Sequence, residues 1–166
     1  MTGKGRTSFG GQTLEDVIRS MRLVGFVECS SAELAKANSD MFAEQQRLLV
    51  TNMPYTTIFG TKGRREYHIQ SPEWTGELEC KFQNTGGSVD EKVVYVTETL
   101  KRTLLQRLVI VYGGAYWLKQ SRGKAIIAWL KTEATAIQHT YRKELQVLSL
   151  NEFITWVKRI WRQRAR

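Results

Sequence analysis

From Glu77 to Gln83 the chain alternates polar and apolar residues, which on a β-strand would sort them onto two different surfaces. Glu77, Glu79, Lys81 and Gln83 fall on one side, Leu78, Cys80 and Phe82 on the other. The polar side is a row of two carboxylates, an ammonium and an amide. Phosphodiester hydrolysis needs a nucleophilic water, charge stabilisation on the phosphoryl oxygens and help for the leaving oxygen, and a divalent cation can contribute to all three. Magnesium is commonly held by one or two carboxylates, with water and substrate phosphate completing the shell. Glu79 can supply such a carboxylate, and the backbone carbonyl of Cys80 a further oxygen. Lys81 projects from the same face, where it can orient or deprotonate the attacking water or stabilise the phosphorus. Gln83 continues the row towards that water or a phosphate oxygen, and Glu77 reads as its solvated edge. The same alternation also describes a strand with one wet and one dry face and no chemistry at all.

The elements around this row decide what can join it. Arg64–Ile69 reads as the preceding strand, and the turn Ser71–Gly76 makes the two antiparallel neighbours, so Glu66 can approach Glu79 across the ladder. His68 shares the Glu66 face and reads as a hydrogen-bonded or solvated strand residue. Upstream, Thr13 is the expected N-cap of a helix carrying Leu14, Val17, Ile18, Met21 and Leu23, which Gly25 would stop. Glu15 lies in its first turn, a position that also suits the helix dipole. Ser30–Gln46 reads as partly helical with a break at Asn38–Asp40, and Leu48–Thr51 as a strand leading into Pro54.

Downstream, Ser88 and Glu91 have capping-box spacing before a helix with Val89, Val93, Val96 and Leu100 on one face. Leu108–Tyr112 is a nearly continuous apolar run closed by Gly113 and Gly114, as for an interior strand. Strand, helix, strand in this order predicts an α/β crossover with parallel pairing. Ala125–Gln138 reads as a helix, Leu145–Leu148 as a short strand, and Ser149 with Glu152 repeats the capping-box spacing. The last helix buries Phe153, Trp156, Val157, Ile160 and Trp161. Lys158, Arg159, Arg162, Arg164 and Arg166 give residues 150–166 a basic surface, either a phosphate-gripping one or simply an exposed terminus.

Composition sets the partner class. The 166 residues are expected to form one domain, with residues 1–11 as a flexible basic arm. A net charge of +9 favours polyanions, nucleic acid first among them. No apolar run approaches a spanning helix and Met1–Arg6 has no apolar signal segment, so no membrane partner and a cytoplasmic location are expected. Cys29, Cys80, His68 and His139 make neither a disulfide framework nor a structural zinc set.

Taken together, these residues resemble the PD-(D/E)XK, or restriction-endonuclease-like, nucleases. Glu79-Cys80-Lys81-Phe82-Gln83 is similar to the family's acid-x-lysine strand with the glutamine of several branches. Gly63–Ile69 resembles the strand that supplies the first acidic ligand, Gly10–Glu15 the opening of the first core helix, and Gly87–Lys92 the helix start that follows. The family's first acid is usually aspartate, often after proline, whereas Arg65-Glu66 stands here. The resemblance implies a single α/β domain with a restriction-endonuclease-like core, a mixed central sheet flanked by helices. It also implies a Mg2+-dependent DNA endonuclease, with Mn2+ able to substitute. Glu66, Glu79 and Glu15 would hold the ion with the Cys80 carbonyl, and Lys81 and Gln83 would position the water. Lys92, Lys158, Arg159, Arg162 and Arg166 are the candidate contacts to DNA, duplex in the first instance. Cutting both strands would favour a homodimer or higher oligomer, and the small size fits a phage or mobile-element enzyme. Two other functions remain open, namely a binding module of the same fold without catalysis, and a nuclease acting on RNA or branched DNA.

Overall fold

The computed structural model describes residues 9–36 and 47–161, with side chains from Leu14 onward in the first segment. Six strands form one sheet in chain order: β1 (Val27–Ser30), β2 (Leu48–Thr56), β3 (Lys62–Gln70), β4 (Gly76–Phe82), β5 (Arg107–Gly113) and β6 (Glu144–Ser149). β1 and β2 are parallel, β2–β3 and β3–β4 antiparallel, and β4, β5 and β6 parallel. The helices are α1 (Phe9–Leu23), α2 (Ser31–Lys36), α3 (Val89–Arg102), α4 (Ala115–Lys119), α5 (Ser121–Tyr141) and α6 (Leu150–Ile160). This is the expected α/β architecture, a mixed sheet between helices in a single domain.

The sheet separates two cores. Leu78, Val109 and Val111 face α1 and α6, meeting Val17, Met21, Phe153, Trp156 and Val157. Leu108, Ile110 and Tyr112 face the opposite layer, where α3 and α5 contribute Val93, Leu100, Leu130 and Ile137. The Leu108–Tyr112 run is therefore buried on both sides, as its continuous hydrophobicity predicts. The α1/α6 layer is closed by an aromatic cluster in which Trp161 meets Phe26 and Trp156 edge-on at 5.0 and 5.1 Å. Trp161 Nε1 donates to Ser71 Oγ at 2.9 Å, and Ser71 Oγ donates to the Trp74 carbonyl at 2.8 Å. The turn that launches β4 is thereby fastened to the end of α6.

Local signals were obeyed unevenly. The Ser149–Glu152 capping box forms in full at the start of α6. Its counterpart at Ser88 does not: the backbone there, at φ −66 and ψ 2, is outside the extended region that presents a cap hydroxyl to the helix N–H groups, and the side chain makes no cap bond. Helix α1 begins at Phe9, ahead of the expected cap Thr13, so residues 9–11 of the expected arm are helical; residues 1–8 lie outside the described residues. Of the partly helical stretch expected over Ser30–Gln46, Ser31–Lys36 forms the short α2, preceded by β1, which the sequence did not announce; residues 37–46, with the expected break at Asn38–Asp40, lie outside the described residues. Strand β2 runs on through Pro54 to Thr56. The partner β1 pairs only up to Thr51, so beyond it β2 is an edge among the described strands, the kind of position at which a sheet tolerates proline.

Lys143, between α5 and β6, donates to the carbonyls of Leu100, Lys101 and Thr103 at the end of α3. A helix C-terminus carries partial negative charge and unpaired carbonyls, and this ammonium answers both. Lys143→Met is expected to cost about 2 kcal/mol, read as a lower urea midpoint at unchanged slope. An unchanged midpoint would show that water satisfies those carbonyls equally well.

Candidate active site

Strand β4 presents its polar row towards the α3 layer, as the apolar residues Leu78, Cys80 and Phe82 pack into the α1/α6 core. The ladder to β3 pairs Ile69 with Gly76, His68 with Glu77 and Tyr67 with Leu78, then stops. One residue further on, Glu66 would face Glu79. Instead the strands part, and a Glu66 carboxylate oxygen accepts the Cys80 backbone N–H at 3.0 Å. The N–H and C=O of one strand residue point the same lateral way, so the Cys80 carbonyl is turned into the same gap. Glu66 thus substitutes a side chain for the missing ladder bond, and the parted strands leave room for a substrate atom.

The break continues into β2. Asn52, opposite Glu66, has φ 56, and the pairs on either side, Thr51 with Tyr67 and Met53 with Arg65, keep one register. No residue is inserted; the pairing is interrupted at this one position. Asn52 tolerates the left-handed region better than most residues, and its carbonyl accepts from Ser31 Oγ at 3.0 Å.

Thr51, Asn52, Arg64, Arg65, Glu66, Tyr67, Glu79, Cys80 and Lys81 line a cleft of about 540 Å³ at this break. Lys81 Nζ donates to Glu79 Oε2 at 2.7 Å, with side chains only 16% and 12% exposed. An ion pair this sheltered is stronger than a surface pair, and its geometry fixes both partners. Burial raises the Cys80 thiol well above its usual pKa, and the Glu66 carboxylate adds to the shift. The thiol is therefore protonated and takes no part as a thiolate.

Of the residues singled out from sequence, Glu66, Glu79, Lys81 and Cys80 line this cleft together. Gln83 lies just past the end of β4; its carbonyl accepts from Tyr116 N at 3.1 Å, and its amide sits beside Gly87 at the approach to α3. Gly114, with φ 95, permits this packing, since a Cβ there would come within 2.3 Å of the Gln83 carbonyl oxygen. Glu15 is exposed on α1, in the layer over the opposite face of β4, and no described side chain of α1 lines the cleft. Lys92 is exposed on α3, and Lys158 and Arg159 are exposed on α6, also in the opposite layer. Arg162 and Arg166 lie outside the described residues.

Glu77 corrects the sequence reading. Rather than a solvated edge it is 7% exposed, and His68 Nδ1 lies 3.0 Å from its Oε1. The cross-strand register brings the two together. Sequence reasoning also passed over Arg65, Tyr55 and Asn52. A basic residue in the row that otherwise holds Tyr67 and Ile69 was the available signal for the first.

Among the described residues, no three His, Cys, Asp or Glu side chains gather as a metal cage. The donor chemistry nevertheless suits a hard cation: two carboxylates and a carbonyl, all oxygen, around one opening, with the rest of the shell available to water and phosphate.

Fold and site together define the restriction-endonuclease-like class of α/β proteins. The PD-(D/E)XK nuclease superfamily domain model matches residues 6–161, and the chain belongs to that superfamily. It therefore carries a nuclease domain. No curated protein and no solved structure matches the chain. No helix among the described residues is long and apolar enough to cross a membrane.

Proposed function

We propose that the protein is a magnesium-dependent endonuclease acting on DNA, with its reaction centre in the cleft of Glu66, Glu79, Cys80 and Lys81. The observation that carries this reading is the parting of β3 from β4, which gathers two carboxylates, a carbonyl and an ammonium around one opening. Glu66 and Glu79 would hold the cation with the Cys80 carbonyl. When bound, the ion would supply Lewis-acid stabilisation of charge on the phosphoryl oxygens. Lys81, already anchored on Glu79 Oε2, stands where it can orient a water for attack or hold a proton during transfer. Glu79 keeps its second oxygen for the cation while the first holds the lysine. Gln83 would steady the water or a phosphate oxygen from the strand exit.

Lys92, on the same layer as the cleft, is the nearer of the basic contacts proposed for DNA; Lys158 and Arg159 would meet a strand that wraps towards α6. Manganese, with similar oxygen preference, would substitute for magnesium. A cut through both strands of a duplex would place two copies of the chain about a twofold axis.

Incubation with supercoiled plasmid, linear duplex and single-stranded DNA, each with Mg2+ and with chelator, tests the reading. Relaxed or linear products that appear only with the metal are expected. Salt-dependent DNA binding without cleavage in Mg2+ or in Mn2+ added in its place would favour a non-catalytic binding module instead.

A further inference from the structure

Arg65 is 4% exposed, yet its guanidinium has no carboxylate partner among the described residues and instead lies over the Tyr55 ring, 3.6 Å from the centroid. Buried arginines are ordinarily paired. Its nitrogens are also not among the fully enclosed polar atoms left without a partner, so they keep an opening to the outside. That opening leads to two places. Arg65 lines the cleft of Glu66, Glu79 and Lys81, and also a neighbouring one of about 480 Å³ shared with Tyr55, Thr57, Glu77, Arg102 and Thr103. It is the wall between them.

The interruption at Asn52 and Glu66 accounts for this position. By strict alternation Arg65 would share the face of Tyr67 and Ile69, which lie in the α1/α6 core. Past the interruption it joins Tyr55 on the side of α3 instead. Tyr55 is itself held: a Cβ on Gly63 would strike its ring at 2.5 Å, so only glycine lets the ring lie flat across β3. Burial pushes the Tyr55 hydroxyl pKa up, Arg65 opposes that shift, and the hydrogen-bonded Tyr95 of α3 and the Glu79 carboxylate add to it. The hydroxyl therefore stays neutral and the ring presents a fixed face to the guanidinium. Glu77, the one carboxylate in the second cleft, is engaged by His68 through Oε1, and its Oε2 is enclosed.

A planar cation held flat on an aromatic ring, with forked donors facing an opening, is arranged to take phosphate oxygens in pairs. We propose that Arg65 is a phosphate clamp for the nucleotide next to the bond being cut, with Tyr55 as the residue that positions it. This rests on the endonuclease reading above, since it takes the neighbouring cleft as the place of cleavage. Residues two apart on a strand are separated by about 6.8 Å. Glu77 and Glu79, which mark the two clefts, are thus one such step apart along β4, and a strand crossing both would pass the guanidinium.

The test is a scan in which single phosphate linkages of a DNA oligonucleotide are replaced, one at a time, by neutral methylphosphonate, with binding measured at low salt in chelator. For the wild-type protein, one linkage beside the cleaved one is expected to lose about tenfold in affinity when neutralised. Arg65→Gln should bind the unmodified strand about tenfold more weakly and show no further loss at that linkage. Its salt slope should fall by about one phosphate contact. Tyr55→Leu should reproduce the Arg65→Gln pattern, and Tyr55→Phe, which keeps the ring, should behave as wild type. A flat scan with the wild-type protein overturns the clamp and needs no variant to fold. A linkage-specific loss that persists in Arg65→Gln overturns it as well. Because binding is read without metal, the two readings fail separately: a protein that cleaves but gives a flat scan loses the clamp alone, and one that never cleaves loses the endonuclease reading, an Arg65-dependent loss then standing as a phosphate contact with no cleaved bond beside it.

Discussion

Glu79→Gln and Lys81→Met are each expected to lower metal-dependent cleavage by about 10³-fold or more, but for separable reasons. In the proposed site Glu79 would hold the cation as well as Lys81, which it already binds, so its loss should weaken Mg2+ or Mn2+ binding seen by calorimetry. Lys81 would not be a ligand. Its removal frees Glu79 Oε2, which now accepts the ammonium at 2.7 Å, and metal binding should persist or tighten while cleavage disappears. The double variant should be no worse than the poorer single one, since residues that act as a unit are not additive. DNA binding should survive all three changes. Cleavage retained in both single variants would remove this cleft from consideration, and loss of metal binding in Lys81→Met would recast the lysine as structural support.

Trp161→Ala should be the most destabilising single change in the α1/α6 layer. The ring is fully buried, meets Phe26, Trp74 and Trp156 edge-on, and carries the hydrogen bond to Ser71. Truncating a buried tryptophan costs about 3–5 kcal/mol, a large share of the roughly 5–15 kcal/mol by which domains are stable. For a chain of this size the melting temperature should fall by about 10 °C. Trp161→Phe narrows the contributions, because it keeps much of the apolar area while giving up the indole N–H and part of the ring volume; a loss of about 1–2 kcal/mol is expected there. The position also matters for the site, since Ser71 sits in the turn that launches β4. A Trp161→Ala variant that melted as wild type would mean that α6 contributes little to holding that turn.

The polar row of β4 was readable because its information is local. A period of two in Glu77–Gln83 determines which side chains travel together, and Leu108–Tyr112 declares its burial by having no polar face at all. Neighbouring strands then follow from one short turn, which is enough to bring Glu66 towards Glu79. What could not be read depends on contacts distant in sequence. Glu77 looked solvated because only the register of β3 on β4 reveals His68 opposite it. The interruption at Asn52 and Glu66 inserts no residue and leaves the hydrophobic pattern intact, so nothing in the periodicity announces it. Arg65 was consequently noted only as a departure from a motif. Strand β1, four residues long, is shorter than any window in which alternation can be told from chance. Glu15 illustrates the opposite limit: its helix was legible, but the layer on which that helix would pack was not.

The outer side of β2 carries one more implication, for assembly. Past Thr51, Pro54 removes a donor and Asn52 turns the backbone out of the extended conformation, so the unpaired groups do not form an even row. Such an edge is a poor template for a strand from another molecule. If two copies are brought together as the endonuclease reading proposes, some other surface would have to join them.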